Sequence, residues 1–176
     1  QGLSFLPRLA EDIVFNGVIP AERPQDAHDV LGTFRIVSDQ GEMQRTPKNF
    51  AEFIDLLRRR HAIIMEARPD KNPGSFKTKS NQAGMTVFVT PELVTGTLEK
   101  GFEFLGALAE PFQRAAFMMM LVSEVHPFAD GNGRIGRIMM NAELVAAGQE
   151  RIIVPTAFRT DYLGPLRAFS HNGETA

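Results

Sequence analysis

The stretch His126-Pro127-Phe128-Ala129-Asp130-Gly131-Asn132-Gly133-Arg134-Ile135-Gly136-Arg137 places a histidine, an aspartate, two arginines and a Gly-Asn-Gly turn in one short run. It follows the apolar run 115–122 and leads into apolar residues at helical spacing, so we predict a loop between two helices. A Gly-Asn-Gly turn at the start of a helix lets backbone N–H groups converge at the positive end of the helix dipole. The stretch therefore predicts an anion cradle.

Charged and titratable side chains flank this cradle. Arg134 and Arg137 are three residues apart and project to one side of the second helix, where two guanidinium groups suit a polyphosphate. Asp130 could hold a Mg²⁺ that bridges phosphate oxygens. His126, with an ordinary pKa of about 6.5, can accept a proton at neutral pH. We predict that Phe128 points into the core and anchors the loop.

Composition excludes several classes of protein. The chain has 176 residues, of which 43% are hydrophobic, enough for one globular domain over residues 1–176. A net charge of −2 excludes a cationic surface for nucleic acid. The absence of cysteine excludes disulfides, thiolate zinc sites and cysteine nucleophiles, and it suits a cytoplasmic protein, including one delivered into a host cell. The longest apolar run, 115–122, is too short for a membrane span. We interpret the opening at Gln1 as a mature form or an excised domain.

Periodicity and capping signals predict a mainly helical chain. We predict a short helix ending near Asn16, an undefined segment from Pro24 to Phe34, and a long helix from Thr46-Pro47 to about Pro69. A helix starting at Thr90-Pro91 is predicted to turn five apolar residues inward, and the helix starting at Pro111 is predicted at the centre of the fold. The five are Leu93, Val94, Leu98, Phe102 and Leu105. The last helix should bury Ile135, Ile138, Ala142 and Val145.

Between these helices the sequence changes character. Ser75–Thr78 and Thr86–Val89 are predicted to form two short strands joined by a polar turn. The basic run Arg58–His61 is interpreted as a solvated helix face because the chain is net acidic. The three methionines at 118–120 are predicted to pack in the core rather than bind a metal. His28, His61 and His171 have no ligand-like spacing and are assigned no chemistry.

The pattern His-x-Phe-x-Asp-Gly-Asn-Gly-Arg-x-x-Arg resembles the signature of the Fic (filamentation induced by cAMP) domain, with every defining position filled. Upstream, Pro73–Lys77 together with Gly84, Phe88 and Pro91 is similar to the flap hairpin of that family and the helix after it. Downstream, Arg159-Thr160-Asp161-Tyr162 is similar to an element of its closing helices, where we predict that Tyr162 is buried. The resemblance covers about 70–170 well and residues 1–45 weakly, which implies a domain core over about 46–170.

This resemblance implies an all-α bundle with a short β-hairpin flap that transfers AMP from Mg·ATP to a hydroxyl of a target protein. His126 would be the general base and Asp130 the Mg²⁺ ligand. The remaining phosphate contacts would come from Asn132, the amides of Gly131 and Gly133, and the guanidinium groups of Arg134 and Arg137. The flap residues Ser75, Phe76 and Lys77 would align the target by strand addition.

Two alternatives stay open at this point. Relatives on the same scaffold transfer UMP, phosphocholine or phosphate, although the intact Gly-Asn-Gly-Arg-x-x-Arg favours AMP. A module that binds nucleotide or protein without catalysis would also keep the fold. The sequence does not define a base pocket or a target.

Many relatives inhibit themselves through a Ser/Thr-x-x-x-Glu-Gly/Asn helix whose Glu pairs with the second arginine of the motif, here Arg137. The segments 38–42, 95–99 and 170–174 each match only the spacing of Ser or Thr to Glu. We therefore predict that this chain is not self-inhibited through Arg137, and that an inhibitory element is missing or is supplied by a separate, antitoxin-like partner.

Overall fold

The computed structural model describes residues 7–153. In this range the chain forms seven α-helices and one two-stranded antiparallel sheet. The predicted all-α class with a short hairpin is confirmed. The helices are α1 (Pro7–Asn16), α2 (Pro24–Ser38), α3 (Gln40–Met43), α4 (Phe50–Ile64), α5 (Val94–Ala107), α6 (Pro111–Val125) and α7 (Asn132–Ala146). The strands are β1 (Gln82–Ala83) and β2 (Thr86–Val87), with Gln82 opposite Val87.

Helix α4 begins later than the Thr46-Pro47 signal predicts. Its N-cap is Asn49, whose side-chain oxygen accepts the N–H of Glu52 at 2.9 Å. Because a helix needs an acceptor for its first free N–H groups, the capping oxygen of Asn49 decides the start. The helix ends at Ile64, before the predicted end near Pro69. Both predicted boundaries of this helix are wrong, but its existence and its apolar face are confirmed.

The hairpin also differs from its prediction. The first predicted strand, Ser75–Thr78, is irregular, and β1 forms later, at Gln82–Ala83. The reason is that the N–H of Lys77 donates to Pro127 O at 2.8 Å, so this segment pairs with the α6–α7 connection instead of a strand. Leu93, predicted to face inward, lies in a 3₁₀ turn before α5 and is 61% exposed.

The hydrophobic core lies where α6 and α7 pack against α4 and α5. Phe53 of α4 stacks on Phe102 of α5 with centroids 5.2 Å apart, and Met118 of α6 is fully buried. Met118 therefore packs in the core as predicted. Ile135, Ile138 and Ala142 of α7 are buried as well. In the described part of the chain, no helix has the length and apolarity that crossing a membrane requires.

The basic run of α4 is solvated in its first half and buried in its second half. Arg58 is exposed, but Arg60 and His61 are 0% exposed. Arg60 is held by Glu42 of α3, with Nε donating to the carboxylate at 2.9 Å and Nη2 to the Glu42 carbonyl at 2.6 Å. A buried guanidinium needs such a paired carboxylate, and α3 supplies one from a distant part of the sequence. The expectation of a solvated run is wrong at these two positions.

Candidate active site

The connection between α6 and α7 is a tight turn with left-handed backbone at both ends. We call residues 126–133 the anion loop. His126 ends α6 at φ 50° and ψ 56°, and Gly131 precedes α7 at φ 76°. A Cβ atom at Gly131 would lie 2.9 Å from Met65 Sδ. Glycine is therefore required at position 131 by both its conformation and its close approach to α4.

The anion loop is braced by the side chain of Asn132. Its Oδ1 accepts the N–H of Phe128 at 2.9 Å, and its Nδ2 donates to Phe128 O at 2.9 Å. Asn81 donates to the same carbonyl at 2.9 Å. Phe128 is fully buried and Asn132 is 1% exposed. Because the buried amide side chain is used inside the loop, a phosphate contact by Asn132 would come from its backbone N–H.

The first turn of α7 offers few free amides. The N–H groups of Arg134 and Ile135 both turn back to Gly131 O at 3.0 Å, and the Gly131 N–H donates to Asp130 Oδ1 at 2.6 Å. The first N–H groups of a helix have no carbonyl partner within it. The amides of Asn132 and Gly133 are thus the ones in position to receive an anion at the positive end of α7.

The ring of His126 is oriented from two sides. Its Nδ1 lies 3.1 Å from Ser123 O, and Phe88 stacks on it with centroids 3.7 Å apart and planes 5° from parallel. Because a carbonyl oxygen can only accept, the proton is on Nδ1 and the lone pair is on Nε2. Among the described residues Nε2 has no hydrogen-bond partner. Burial lowers the pKa of His126 from its ordinary value, so the ring has the tautomer and charge of a general base at neutral pH.

Asp130 is the acidic side chain of the anion loop. Its Oδ1 is oriented by the Gly131 N–H, and the side chain is 44% exposed. A Mg²⁺ that also takes phosphate oxygens needs one or two protein carboxylates, and one half-exposed carboxylate beside an anion cradle fits that need. Within residues 7–153 no cluster of three or more His, Asp or Glu side chains could hold a metal unaided. The donor set therefore suits a Mg²⁺ that arrives with a nucleotide.

Arg134 is already engaged by acidic neighbours. Its Nη1 lies 2.5 Å from Asp29 Oδ2 on α2, and its Nη2 lies 4.0 Å from Asp130 Oδ1. Asp29 is 8% exposed and also pairs with Arg68 at 2.8 Å. The guanidinium is thus held in one orientation from α2, which sequence reasoning did not foresee because Asp29 lies 105 positions before Arg134 in the chain.

Arg137 lies on α7 one turn after Arg134 and is half-buried. Of the segments with Ser or Thr to Glu spacing, 38–42 supplies Glu42, which pairs with Arg59 at 3.0 Å. The segment 95–99 supplies Glu99, which is exposed on α5. The segment 170–174, like the closing element with Tyr162, lies outside the described residues. The absence of self-inhibition through Arg137 stays a prediction.

We call residues 73–88 the flap. Its Lys77 is 5% exposed, and its Nζ donates to Asn81 Oδ1 at 2.7 Å and to Val125 O at 3.3 Å. Burial lowers the pKa of Lys77 to about 8. Its backbone N–H is bonded to Pro127 O in the anion loop and its Nζ to Val125 O at the end of α6, so Lys77 is held at both ends by this part of the chain. We therefore assign Lys77 to holding the flap in place rather than to touching a target.

The other flap residues divide between burial and exposure. Phe76 is half-buried, with its ring 5.3 Å from that of Phe128, whereas Ser75 is exposed. At the tip, Met85 is 88% exposed and Val87 is 68% exposed. The part of the flap that is open to a partner is therefore the β1–β2 hairpin and its apolar tip.

Sequence reasoning missed His61, which lies against the anion loop. Its ring stacks on Phe128 with centroids 3.6 Å apart and planes 3° from parallel. Its Nε2 lies 3.0 Å from Asp130 O, and its Nδ1 accepts the N–H of Gly74 at 2.9 Å. Burial lowers the pKa of His61 to about 4. The available signal was helical spacing, because Arg58, His61 and Ala62 of α4 share one face with Met65, the residue that caps its end.

Comparisons with known proteins agree with this geometry. Residues 53–144 match the model of the Fic/DOC family. The chain is 26% identical over 164 residues to protein adenylyltransferase fic-1 of Caenorhabditis briggsae, covering 86% of this chain and 32% of that protein. It is 30% identical over 127 residues to the fic-1 protein of Caenorhabditis elegans, covering 65% of this chain and 25% of that protein. The chain thus spans a third or less of the length of these two relatives.

Solved structures show the same fold. Fic-1 from C. elegans superposes with a TM-score of 0.75 at 23% identity, over 95% of this chain and 51% of that one. A Fic domain containing signaling protein from Bacteroides thetaiotaomicron superposes with a TM-score of 0.77 at 17% identity, over 98% of this chain and 68% of that one. At these identities the structures support the fold alone. The match to the family model covers more than half of the chain and includes the whole anion loop, and the chain therefore belongs to the Fic/DOC family.

Proposed function

We propose that this domain is a protein adenylyltransferase, which transfers AMP from Mg·ATP to the hydroxyl of a Tyr, Ser or Thr side chain on a target protein and releases pyrophosphate. The observation that carries the proposal is the His126 ring, neutral and with its Nε2 lone pair open, at the end of the anion loop. The two adenylyltransferase relatives support the same class of reaction.

In the proposed reaction His126 acts on the attacking hydroxyl. Its Nε2 takes the hydroxyl proton while the hydroxyl oxygen forms a bond to the α-phosphorus. The bond between the α-phosphorus and the bridging oxygen breaks, and pyrophosphate leaves with those electrons. The Ser123 carbonyl keeps Nδ1 protonated, and the resulting imidazolium is stabilised by the same contact.

The phosphates would lie against the start of α7. The amides of Asn132 and Gly133 would bind the α- and β-phosphates, and the guanidinium groups of Arg134 and Arg137 would neutralise the distal ones. Asp130 would hold Mg²⁺, which supplies charge neutralisation on the phosphate oxygens. Transfer to a phosphorus centre depends mainly on positioning the reactants and neutralising charge. These residues supply both kinds of assistance.

We propose that the target lies along the β1–β2 hairpin and its exposed tip. An extended segment could add to such a strand edge through backbone hydrogen bonds, which carry little sequence information. The identity of the target is therefore set by surfaces outside this site. A separate inhibitory partner and a cytoplasmic location stay predictions from the sequence.

The experiment uses ATP labelled at the α-phosphate, Mg²⁺ and a cell lysate as the source of target. The wild-type chain and the control His28→Ala, which removes an exposed histidine of α2, should both label protein. His126→Ala should lower labelling at least about 100-fold, as expected for loss of a general base.

Each other outcome points to a different conclusion. Labelling that persists in His126→Ala would remove the base role from this residue. ATP binding without pyrophosphate release would favour the binding module. The mass added to a modified target would separate AMP from UMP, phosphocholine or phosphate.

A further inference from the structure

We propose that His61 is a positioning residue that holds the flap and the anion loop at a set separation. The proposal rests on the proposed transfer reaction, in which the flap aligns the target and the anion loop binds the nucleotide. His61 itself touches neither reacting group.

The two ring nitrogens of His61 bind backbone groups of the two segments. Nδ1 accepts the N–H of Gly74 in the flap at 2.9 Å, and Nε2 donates to Asp130 O in the anion loop at 3.0 Å. These contacts require one tautomer, with the proton on Nε2 and the lone pair on Nδ1. The ring is fully buried and stacked on Phe128, so it cannot turn to exchange the two nitrogens without unpacking the loop.

The face of α4 around His61 contacts the same two segments. Arg58 Nε donates to Gly74 O at 2.7 Å, so both backbone polar groups of Gly74 are held by α4. A Cβ at Gly74 would lie 3.1 Å from the Ala62 Cβ, and one at Gly131 would lie 2.9 Å from Met65 Sδ. Along this face, His61 is the residue whose hydrogen bonds reach both segments among those described.

The separation of the two segments bears directly on the transfer step. The flap carries Phe88, which stacks on the base His126, and the anion loop carries the start of α7. A general base works within about 2.6–3.2 Å of the proton it takes, and a shift of about 1 Å at the reacting groups can cost about 100-fold in rate. A residue that binds both segments therefore contributes to the alignment of hydroxyl and phosphate, beside the direct bonds of Lys77 N–H to Pro127 O and of Asn81 Nδ2 to Phe128 O.

The test compares three variants with the wild-type chain. His61→Phe keeps the stacked ring and removes both nitrogens, and His61→Gln keeps a donor and an acceptor on a flexible side chain. Leu98→Ala is the control for lost stability, because Leu98 is buried on α5 and takes no part in the bridge. The readouts are hydrogen exchange at the Gly74 amide, the dissociation constant for Mg·ATP by calorimetry, and kcat and KM for labelling.

We expect the Gly74 amide to exchange much faster in His61→Phe and to be partly protected again in His61→Gln. Mg·ATP binding should weaken about five- to tenfold in His61→Phe, as for loss of about one hydrogen bond, and kcat should fall further. Leu98→Ala should retain wild-type exchange at Gly74 and wild-type ATP affinity below its melting temperature.

The proposal is overturned if Gly74 exchange is the same in His61→Phe and the wild type, or if Leu98→Ala weakens ATP binding as much as His61→Phe does. Exchange and ATP binding need no transfer reaction. If the wild-type chain labels nothing, the proposed function fails while these two measurements still decide whether His61 forms the bridge.

Discussion

Helix α4 and the α6–α7 connection each hold a histidine stacked face to face on a phenylalanine, with centroids 3.6 Å apart for His61 and 3.7 Å apart for His126. Burial lowers the pKa of both. The difference is in the nitrogens, because His61 has hydrogen bonds at both and His126 has one at Nδ1. A histidine ring with both nitrogens hydrogen-bonded can hold two segments in place. A ring with a free nitrogen lone pair can accept a proton.

The same division extends to the groups around each ring. On α4, Arg60 and His61 are fully buried and paired, so substitutions there should act on stability and, at His61, on the transfer step only through the positions of the flap and the anion loop. In the anion loop, His126 and Asp130 are partly open, so substitutions there should act on chemistry. The predictions below test this division, starting with the largest effect.

The largest effect is expected at Arg60. Arg60→Met leaves the buried Glu42 carboxylate without its closest partner and should lower the free energy of unfolding by about 3–5 kcal/mol in urea denaturation. The control is Arg59→Met, which removes a 39% exposed partner of the same carboxylate and should cost about 1 kcal/mol or less. Equal losses of unfolding free energy in the two variants would show that the burial of the Arg60–Glu42 pair does not determine its contribution to stability.

The second effect is the pH dependence of stability through His61. Its pKa is about 4 in the folded chain against 6.5 in the unfolded chain, so below pH 6.5 the unfolded chain binds the proton first. The contribution of His61 to the free energy of unfolding is therefore complete above pH 6.5 and is lost as the pH falls towards 4. The total loss is up to about 3 kcal/mol, because each unit of pKa difference corresponds to about 1.4 kcal/mol. The charged groups that act on the ring are Asp130 and Arg134.

Urea denaturation between about pH 4.5 and about pH 7.5, the range in which histidine titrates, measures this slope. His61→Gln should flatten the slope relative to the wild type. His28→Gln, at an exposed position of α2, should leave it unchanged. An identical slope in His61→Gln and the wild type would mean that His61 is not buried in its neutral form.

The smallest effect is expected at His126 itself, where two charges act in opposite directions. Burial has the largest effect on the pKa of His126 and lowers it, and the contact with Ser123 O raises it. Of the two smaller effects, the charge of Lys77 lowers this pKa and the charge of Asp130 raises it. Lys77→Met should therefore raise the pKa of His126, and Asp130→Asn should lower it. Titration of the His126 ring protons by NMR measures both shifts. Shifts of the same sign would show that the flap or loop rearranges in one of the variants.

The local parts of this molecule were the predictable ones. The Pro111 start of α6, the apolar face of α7 and the Gly-Asn-Gly turn before α7 all follow from residues within a few positions of each other. The start of α4 differs from the prediction because Asn49 caps the helix in place of the Thr46-Pro47 signal. The first strand differs because the Lys77 N–H bonds to Pro127 O and not to a neighbouring strand.

The distant parts could not be read in this way. Nothing near His61 in the sequence indicates that Asp130, 69 positions away, provides its partner. Likewise Asp29 gives no sign that it will hold Arg134, nor Lys77 that its charge will be buried. Whether a polar side chain is solvated or paired depends on which segment packs over it.

The sequence by itself determined the helical class of the domain and the order of His126 and Asp130 in the anion loop and of Arg134 and Arg137 on α7, because these depend on spacing within a continuous segment. Tertiary structure alone decided that both ring nitrogens of His61 are hydrogen-bonded, one to the flap and one to the anion loop. It also decided that Asp29 orients Arg134 and that Lys77 holds the flap. The physical reason is that burying a polar group is costly unless a partner meets it, and folding brings those partners from far along the chain.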